Sequence, residues 1–210
     1  MADCTLALDA SGVTAVLCMI DGGAILASTH IPQREQSRLL GKSMNMLRQE
    51  AKRTWADVST LTYIAGPGSF TGLRIAAASL NGLNTKLKRP IMVYSSLAVA
   101  AMACGVKDPL WVLEDARANE VFVGCYQHGK PLQDDCCSSW PSVSGNPPAA
   151  YTASRAWDAQ LAGIPFLPSI IPREEAIAQL LQYRKAKEMP YATPQYLQRS
   201  QAEKMQALHH

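Results

Sequence analysis

A glycine-rich turn is the feature of this chain best suited to bind a small anion. Residues 65–74 read AGPGSFTGLR, after an apolar segment at 61–64 that predicts a strand and before a segment that predicts a helix. Two glycines around a proline allow a tight backbone, and Ser69 or Thr71 can cap the helix. Unpaired N–H groups at a helix N-terminus could hold a phosphate. The alternative is a turn without a ligand, which the residue types alone favour.

Two acids could contribute to a magnesium–nucleotide site. Asp9 and Asp115 each stand at the end of a predicted strand, in the segments LALDA at 6–10 and VLEDA at 112–116. Magnesium phosphates prefer oxygen ligands and backbone N–H donors, so two such turns facing each other could bind a nucleotide. The alternative is that both aspartates cap turns. No basic residue close to Asp9 in the sequence could reach a phosphate.

Nucleophilic and metal chemistry have weaker candidates. Ser69 with His30 or His128 could be imagined as a peptidase triad, although nothing in the sequence places these residues together. The six cysteines contain no C-x-x-C pair, so neither a zinc site nor a redox site is indicated, and buried reduced thiols are expected.

The elements that would position these residues predict an α/β fold of two lobes. Strands at 4–9, 13–19 and 24–31, with a hairpin turn at 21–23, precede a helix at 33–52. A strand at 61–65, a helix at 71–88, a strand at 91–94 and a helix at 96–105 complete the order βββαβαβα. This order is typical of one lobe of the actin-like ATPase (ribonuclease H-like) fold.

The second half of the chain predicts a shorter lobe. Residues 1–105 form the N-terminal actin-like lobe, and residues 106–210 form a C-terminal lobe that repeats the opening strands at 112–116 and 121–127. A loop at 141–150 and an amphipathic helix at 172–187 follow.

Composition excludes several classes of protein. The chain has 210 residues, of which 48% are hydrophobic and 18% charged, as in a globular protein. A net charge of +3 is too small to indicate nucleic-acid binding by itself. The chain leads directly into a strand and has no apolar segment of membrane-spanning length, so a cytoplasmic protein is expected.

Three motifs resemble those of the TsaB (YeaZ) family. Gly66, Pro67, Gly68, Ser69, Phe70, Thr71, Gly72, Leu73 and Arg74 match its GPGSFTGxR signature. Asp115-Ala116-Arg117 followed by Glu120-Val121-Phe122 is similar to its DAR-x-x-E-V-Y/F segment. Residues 34–40, REQSRLL, resemble R-E-H-S-x-x-L-L with Gln36 in place of histidine. The likeness covers residues 4–126, and one later segment, Pro194-Gln195-Tyr196-Leu197, resembles P-x-Y-L-R with Gln198 in place of arginine.

The resemblance implies a non-catalytic scaffold in the complex that forms N6-threonylcarbamoyladenosine in tRNA. The expected partners are a TsaD-like transferase subunit, a TsaE-like ATPase, tRNA reached through the complex, and a second copy of the chain. No intrinsic cofactor is expected, and ATP or ADP with magnesium would bind only at a partner boundary. Related catalytic subunits hold a metal with an H-x-x-x-H pair, and the corresponding residues 96–100 contain no histidine.

The resemblance also places the partner contact on the first-lobe helices. Apolar stripes on the predicted helices 33–52 and 71–88 could face another subunit or could be covered by the chain's own sheet. The candidate interface residues are Leu40, Met44, Leu47, Leu73, Ala77, Leu80 and Leu83. Arg74 and Arg117 could shape a site at this boundary, or could form salt bridges with Glu114 or Glu120. A stand-alone ATPase or kinase and a glycoprotease-like peptidase remain alternative functions.

Overall fold

Two β-sheets and five α-helices make up the part of the chain that the computed structural model describes, residues 4–183 and 186–198. In chain order the elements are β1 (Cys4–Asp9), β2 (Thr14–Asp21), β3 (Ala24–Pro32), α1 (Gln36–Glu50), β4 (Val58–Ile64), α2 (Phe70–Leu87), β5 (Ile91–Tyr94), α3 (Ser96–Ala103), β6 (Leu110–Arg117), β7 (Glu120–Gln127), β8 (Lys130–Pro131), β9 (Cys136–Ser139), α4 (Trp140–Gly145), β10 (Tyr151–Thr152), α5 (Arg173–Tyr183) and β11 (Lys187–Met189). The order βββαβαβα predicted for the first half of the chain is confirmed.

The first sheet is mixed, and its parallel strands bring three turns to one edge. The strand order is β11-β5-β4-β1-β2-β3, with β1, β4 and β5 parallel to one another. Asp9 is paired with Ile64, and Ile64 with Tyr94, so the three parallel strands end side by side. The turns that follow β1, β4 and β5 therefore lie together at this edge.

Helices cover both faces of the first sheet. Leu6 and Leu8 of β1 belong to one core cluster with residues of α1 and α2, whereas Ala7 belongs to another with residues of α3 and α5. Successive side chains of a strand point to opposite faces, so β1 is buried throughout.

The second sheet packs on the other side of α3. Its strand order is β10-β6-β7-β8, and β9 pairs with the first half of β7. Because α3 contacts β6 and β7 as well as α5, all eight of its residues are buried. A helix that is apolar on every side is suited to this central position. Trp140 and Trp157, with ring centroids 4.7 Å apart, belong to a third core cluster that also contains Leu113 of β6.

Three details in the second half differ from the sequence predictions. Residues 141–145 belong to α4 rather than to a loop, because Ser139 caps the helix and Pro141 lies in its first turn, where a missing N–H is tolerated. α5 ends at Tyr183, and Lys187 belongs to β11 instead of the predicted helix; residues 184–185 lie outside the described part. β11 pairs with β5, so residues 187–189 return to the first sheet.

Cysteine exposure and helix length bear on two further expectations. Four of the six cysteines are buried as expected, whereas Cys136 is exposed and Cys137 is half-buried. None of the described helices is long and apolar enough to cross a membrane. The proposed division at residue 105 remains a prediction.

The segment over residues 190–198 is attached to α2 by a reciprocal pair of hydrogen bonds. The side-chain amide of Asn81 donates to the Ala192 carbonyl at 2.9 Å, and the Ala192 N–H donates to Asn81 Oδ1 at 2.8 Å. Ala192 is only 4% exposed, so water cannot easily replace these bonds.

We expect Asn81→Ala to lower the free energy of unfolding by about 2–3 kcal/mol, because it leaves both polar backbone groups of Ala192 unpaired. Denaturant unfolding would measure this loss, and hydrogen exchange at the Ala192 amide would locate it. The matched control is Asn45→Ala, an exposed position on α1, which should change stability by less than about 0.5 kcal/mol. Equal losses in the two variants would contradict this account.

Candidate functional site

The glycine-rich turn packs directly on the turn that follows β1. A Cβ atom added to Gly68 would lie 2.3 Å from the Ser11 carbonyl oxygen, and one added to Gly72 would lie 2.2 Å from the Ala10 carbonyl oxygen. Gly66 has φ +111°, a conformation that side chains of L residues rarely adopt. The glycines of the motif are therefore required by the close approach of two backbones.

Polar groups of the chain itself make several of the hydrogen bonds at the N-terminus of α2. The Ser69 N–H donates to the Ser11 carbonyl at 2.7 Å, and Ser69 Oγ accepts from the Gly72 N–H at 3.2 Å. The side-chain amide of Gln33 also donates to Ser69 Oγ, at 2.8 Å. These contacts support a structural role for the turn, rather than the anion site that its composition also allowed.

The peptidase triad is not assembled. Ser69 has the partners just described, and His30 Nε2 lies 3.3 Å from a carboxylate oxygen of Glu174. The ring of His128 packs against Tyr183, with centroids 4.9 Å apart. Within residues 4–183 and 186–198, neither histidine is therefore hydrogen-bonded to Ser69 as the base that activates a serine nucleophile.

Two motifs that are distant in the sequence meet at the first turn of α2. The Arg74 guanidinium lies 3.7 Å from the centroid of the Phe70 ring, and its Nε donates to the Tyr196 hydroxyl at 2.9 Å. The Phe70 and Tyr196 rings are 5.0 Å apart, and each residue is about half exposed. The next residue toward the N-terminus, Gln195, donates its N–H to the Ala65 carbonyl at 2.8 Å.

The DAR segment forms a tight hairpin between β6 and β7. Arg117 pairs with Glu120, and the two residues between them, like Arg117 itself, have positive φ. Gln198 donates to the Ala116 carbonyl at 2.9 Å and to the Glu120 carboxylate at 2.5 Å. The segment over residues 194–198 therefore contacts both the glycine motif and the DAR segment. Gln198, which stands where the family pattern has arginine, makes a structural contact here.

Asp9 is buried and forms an ion pair with an arginine side chain. It is 1% exposed, and its Oδ1 accepts from the Ser11 N–H at 2.9 Å and the Ser11 hydroxyl at 2.6 Å. Its Oδ2 forms an ion pair with Arg173 Nε at 2.5 Å. Arg173 begins α5, and the sequence analysis did not identify it.

Asp115 differs from Asp9 in its surroundings. It is exposed, and its Oδ1 accepts from the Arg117 N–H at 2.8 Å, which is the turn-capping role considered as an alternative. Within residues 4–183 and 186–198, no three His, Cys, Asp or Glu side chains are grouped to hold a metal ion. The residues at the Asp9 turn do not fit a magnesium–nucleotide complex, because Arg173 already binds one carboxylate oxygen of Asp9 and Ser11 binds the other.

Asp135 connects the second sheet to the start of α3. Its carboxylate accepts from the Tyr126 hydroxyl of β7 at 2.6 Å and from the hydroxyl of Ser95, which caps α3. Burial raises the pKa of Asp135, and the two hydrogen bonds oppose that shift. Sequence reasoning did not identify Asp135, because one polar residue in a loop gives no local signal.

The predicted interface side chains lie inside the chain rather than on its surface. Six of them are at most 5% exposed and pack in the molecule's own core: Leu40, Met44, Leu47, Leu73, Ala77 and Leu80. Leu83 is half-buried. The sheet draws the larger side chains of both helices inward, so these six offer little surface to a partner, although Met44 reaches a groove between α1 and α2. Partner contact by these helices stays a prediction and would rest mainly on other residues.

A shallow groove of about 400 Å³ lies between α1 and α2. It is lined by Gly41, Met44, Asn45, Trp55, Ser79, Leu83, Lys86 and Leu87. Gly41 on α1 and Gly82 on α2 have open space where a Cβ atom would be. Ala78, about one turn before Gly82 on α2, is also exposed. Each of the two helices therefore carries small residues on its outer surface, Gly41 on α1 and Ala78 and Gly82 on α2.

Gln36 is a buried polar residue without a partner among the described residues. It is 0% exposed, and neither its side-chain nitrogen nor its side-chain oxygen has a hydrogen-bond partner there. Its oxygen lies 3.1 Å from the position of a Cβ on Gly72. The residue that departs from the family's histidine is therefore next to the glycine turn.

A comparison with known families agrees with the three motifs. The family model described as "TsaD: tRNA N6-adenosine threonylcarbamoyltransferase" matches residues 27–140, more than half of the chain. A curated relative, the tRNA threonylcarbamoyladenosine biosynthesis protein TsaB of Bacillus subtilis, is 28% identical over 60% of this chain and 56% of its own length. The chain belongs to the TsaB (YeaZ) family.

Solved structures extend the TsaB (YeaZ) likeness to the fold. YeaZ from Pseudomonas aeruginosa has a TM-score of 0.76 and 26% identity, over 93% of this chain and all of that one. A polyphosphate/ATP-glucomannokinase from Arthrobacter has a TM-score of 0.50 and 12% identity, over 86% of this chain and all of that one. The actin-like fold is thereby confirmed. The chain spans 54–64% of the length of the curated TsaB relatives it matches.

We expect Gly72→Ala to destabilise the protein by roughly 1–3 kcal/mol, because the new methyl group would press on the Ala10 carbonyl. Gly82→Ala, in the same helix but facing open space, should instead raise stability by about 0.5–1 kcal/mol through its helix propensity. Denaturant unfolding of both variants would test the pair. Similar effects of one sign would contradict the close packing of the two turns.

Asp135 should make stability depend on pH. Its pKa is raised in the folded state, so that state holds the proton more firmly than the unfolded chain. The free energy of unfolding should therefore fall as pH rises from about 3.8, the ordinary pKa of an aspartate, through the raised pKa of Asp135. Asp135→Asn should flatten this dependence in unfolding measured from pH 3 to 8, whereas Asp158→Asn, at an exposed position, should leave the curve nearly parallel to wild type.

Proposed function

We propose that this chain is a non-catalytic partner subunit in the formation of N6-threonylcarbamoyladenosine in tRNA. In this role it binds a TsaD-type transferase and stabilises it. The observation that carries the proposal is the groove between α1 and α2, considered together with membership of the TsaB (YeaZ) family. A TsaE-type ATPase and tRNA would join through the assembled complex, and any ATP or ADP would bind at the subunit boundary.

The groove is suited to another pair of helices. Gly41 lines the groove, and Ala78 and Gly82 lie next to its lining residues Ser79 and Leu83 on α2. All three are exposed and small, so the backbone of a facing helix can approach closely. Trp55, Leu83 and Leu87 offer partly exposed apolar surface beside them. Burial of this apolar surface would supply the favourable free energy of association.

The Asp9 turn supports a non-catalytic role. A stand-alone ATPase or kinase of this fold would use that carboxylate for a magnesium–nucleotide complex, whereas here Asp9 forms an ion pair with Arg173. Ser69, the proposed nucleophile of a peptidase, caps α2 and accepts hydrogen bonds from an amide side chain and a backbone N–H. Both alternative enzymes would therefore need residues that already have structural partners.

Ala78→Glu tests this proposal. A carboxylate in the middle of an apolar helix contact should weaken binding to the TsaD-type transferase by about tenfold or more, since burying an unpaired charge costs more than about 1.4 kcal/mol. The measurement is co-purification followed by calorimetric titration. The matched control is Ala162→Glu, the same substitution at an exposed turn beside the second sheet, which should bind like wild type.

Three outcomes separate the possible occupants of the groove. Loss of the transferase complex in Ala78→Glu alone supports the proposal. A wild-type chain that does not bind the transferase overturns it. A wild-type chain that forms only a dimer, which Ala78→Glu dissociates in light scattering, assigns the groove to a second copy and also overturns it. Circular dichroism of both variants would establish that they remain folded.

A further inference from the structure

α1 and α2 are more basic than the chain as a whole. Together they contain five lysine and arginine residues and one acid, Glu50, whereas the full sequence has 20 basic and 17 acidic residues. The charged residues of α2 are Arg74 and Lys86, with no acid. Lys86 lies in the last turn, where it complements the helix dipole, but Arg74 lies near the N-terminus, where the dipole disfavours a positive charge. Helix stability therefore does not explain the position of Arg74.

Four exposed residues of α2 form a stripe along the helix, called here the α2 stripe. Arg74, Ala78, Gly82 and Lys86 follow one another at intervals of four residues, and each is exposed. Residues at this spacing lie on one face of a helix. Because each residue adds about 1.5 Å, the two cations bracket the two small residues over a length of about 18 Å. Lys86 also lines the groove between α1 and α2, so the α2 stripe is continuous with that groove.

The side chain of Arg74 is held in place before any partner binds. Its guanidinium lies 3.7 Å from the centroid of the Phe70 ring, and its Nε donates to the Tyr196 hydroxyl at 2.9 Å. Across residues 4–183 and 186–198, no carboxylate forms an ion pair with Arg74 or Lys86. An arginine that is oriented in advance loses less conformational freedom when it binds a carboxylate.

The Arg74 guanidinium is suited to an oxyanion, and the surface beside it favours one carried by a protein. Its planar fork can donate two parallel hydrogen bonds to a carboxylate or a phosphate. Ala78 and Gly82 permit the close approach of a helix, and Leu83 offers partly buried apolar surface next to them. The phosphates of a nucleic acid would gain nothing from contact with this apolar surface. A carboxylate on a helix fits both features.

We propose that the α2 stripe receives an acidic helix of the TsaD-type transferase. One carboxylate of that helix binds Arg74, a second lies near Lys86 about 18 Å away, and the backbone between them packs on Ala78 and Gly82. The inference rests on the proposed function and adds to it the charge of the partner's docking surface. Opposite charges would also accelerate association and disfavour partners whose helices are basic.

Calorimetric titration with the transferase at two salt concentrations tests the charge complementarity. The Debye length falls from about 10 Å at about 0.1 M NaCl to about 3 Å at about 1 M, so wild-type binding should weaken roughly tenfold between the two. Binding that does not change with salt would overturn this proposal. It would leave the proposed function standing as long as Ala78→Glu still abolishes the complex.

Substitutions at Arg74 and Tyr196 separate the charge of the arginine from its orientation. Arg74→Gln should weaken binding about tenfold at the lower salt concentration and only about threefold at the higher one, because salt already screens the lost charge. Arg74→Lys keeps the charge but lacks the fork, so it should weaken binding about threefold and retain the salt dependence of wild type. Tyr196→Phe removes only the hydroxyl that orients Arg74 and should also weaken binding about threefold.

Two matched controls lie beside the second sheet. The Arg155 guanidinium is also stacked on an aromatic ring, 4.3 Å from the centroid of Trp157, and Lys130 is exposed on β8. Arg155→Gln and Lys130→Gln should bind the transferase like wild type, whereas Lys86→Gln should weaken binding about threefold. Equal losses in Arg74→Gln and Arg155→Gln would show a general effect of net charge and would overturn the proposal.

The remaining outcomes distinguish this proposal from the proposed function. If Arg74→Gln binds the transferase like wild type while Ala78→Glu does not bind it, this proposal alone is overturned. If the isolated chain binds purified tRNA and Arg74→Gln weakens only that binding, the α2 stripe is assigned to phosphates and the proposal is again overturned. A wild-type chain that does not bind the transferase refutes both proposals. Circular dichroism checks folding, and if Arg74→Gln does not fold, Lys86→Gln decides the outcome in its place.

Discussion

The ion pair between Asp9 and Arg173 is the interaction on which the docking of α5 at the end of β1 depends. A carboxylate that is 1% exposed cannot remain charged in a protein interior without a partner. The partner comes from α5, so the pair requires the chain to have returned to the first sheet. Formation of the Asp9 turn and docking of α5 are therefore coupled. Asp135 in turn joins the second sheet to the start of α3, through hydrogen bonds from Tyr126 and Ser95.

The glycine motif serves the same junction. Its glycines let the turn after β4 touch the turn that carries Asp9, with carbonyl oxygens of Ala10 and Ser11 where side chains would otherwise lie. The segment over residues 194–198 then packs on the motif and on the hairpin between β6 and β7. The glycine motif, the DAR hairpin and the segment over residues 194–198 are thus neighbours in space.

Sequence patterns predicted the first lobe well because its signals are local. Alternating and continuous apolar runs indicated the strands, and glycine and serine marked the start of α2. The partners of Asp9 could not be predicted in this way. Arg173 is distant in the sequence, and a single arginine at the start of an amphipathic helix usually faces water. Apolar periodicity identified Leu40 and Leu80 correctly as one face of each helix, but it does not distinguish a face covered by the chain's own sheet from one covered by a partner.

That ambiguity has a physical resolution in side-chain size. Most large apolar residues on α1 and α2 are directed toward the sheet, where six of the seven candidate interface side chains are at most 5% exposed; Met46 and Phe70 are the exceptions, each about half exposed. The exposed positions of the two helices also include Gly41, Ala78 and Gly82. A helix that only shields its own core has no need for small residues on its outer face, since larger polar side chains would be equally soluble and would favour the helix more than glycine does. The two exposed glycines cost helix stability, and a close-packed partner would offset that cost. Small exposed residues, rather than the apolar stripe itself, are therefore the feature of these helices that favours a docking surface.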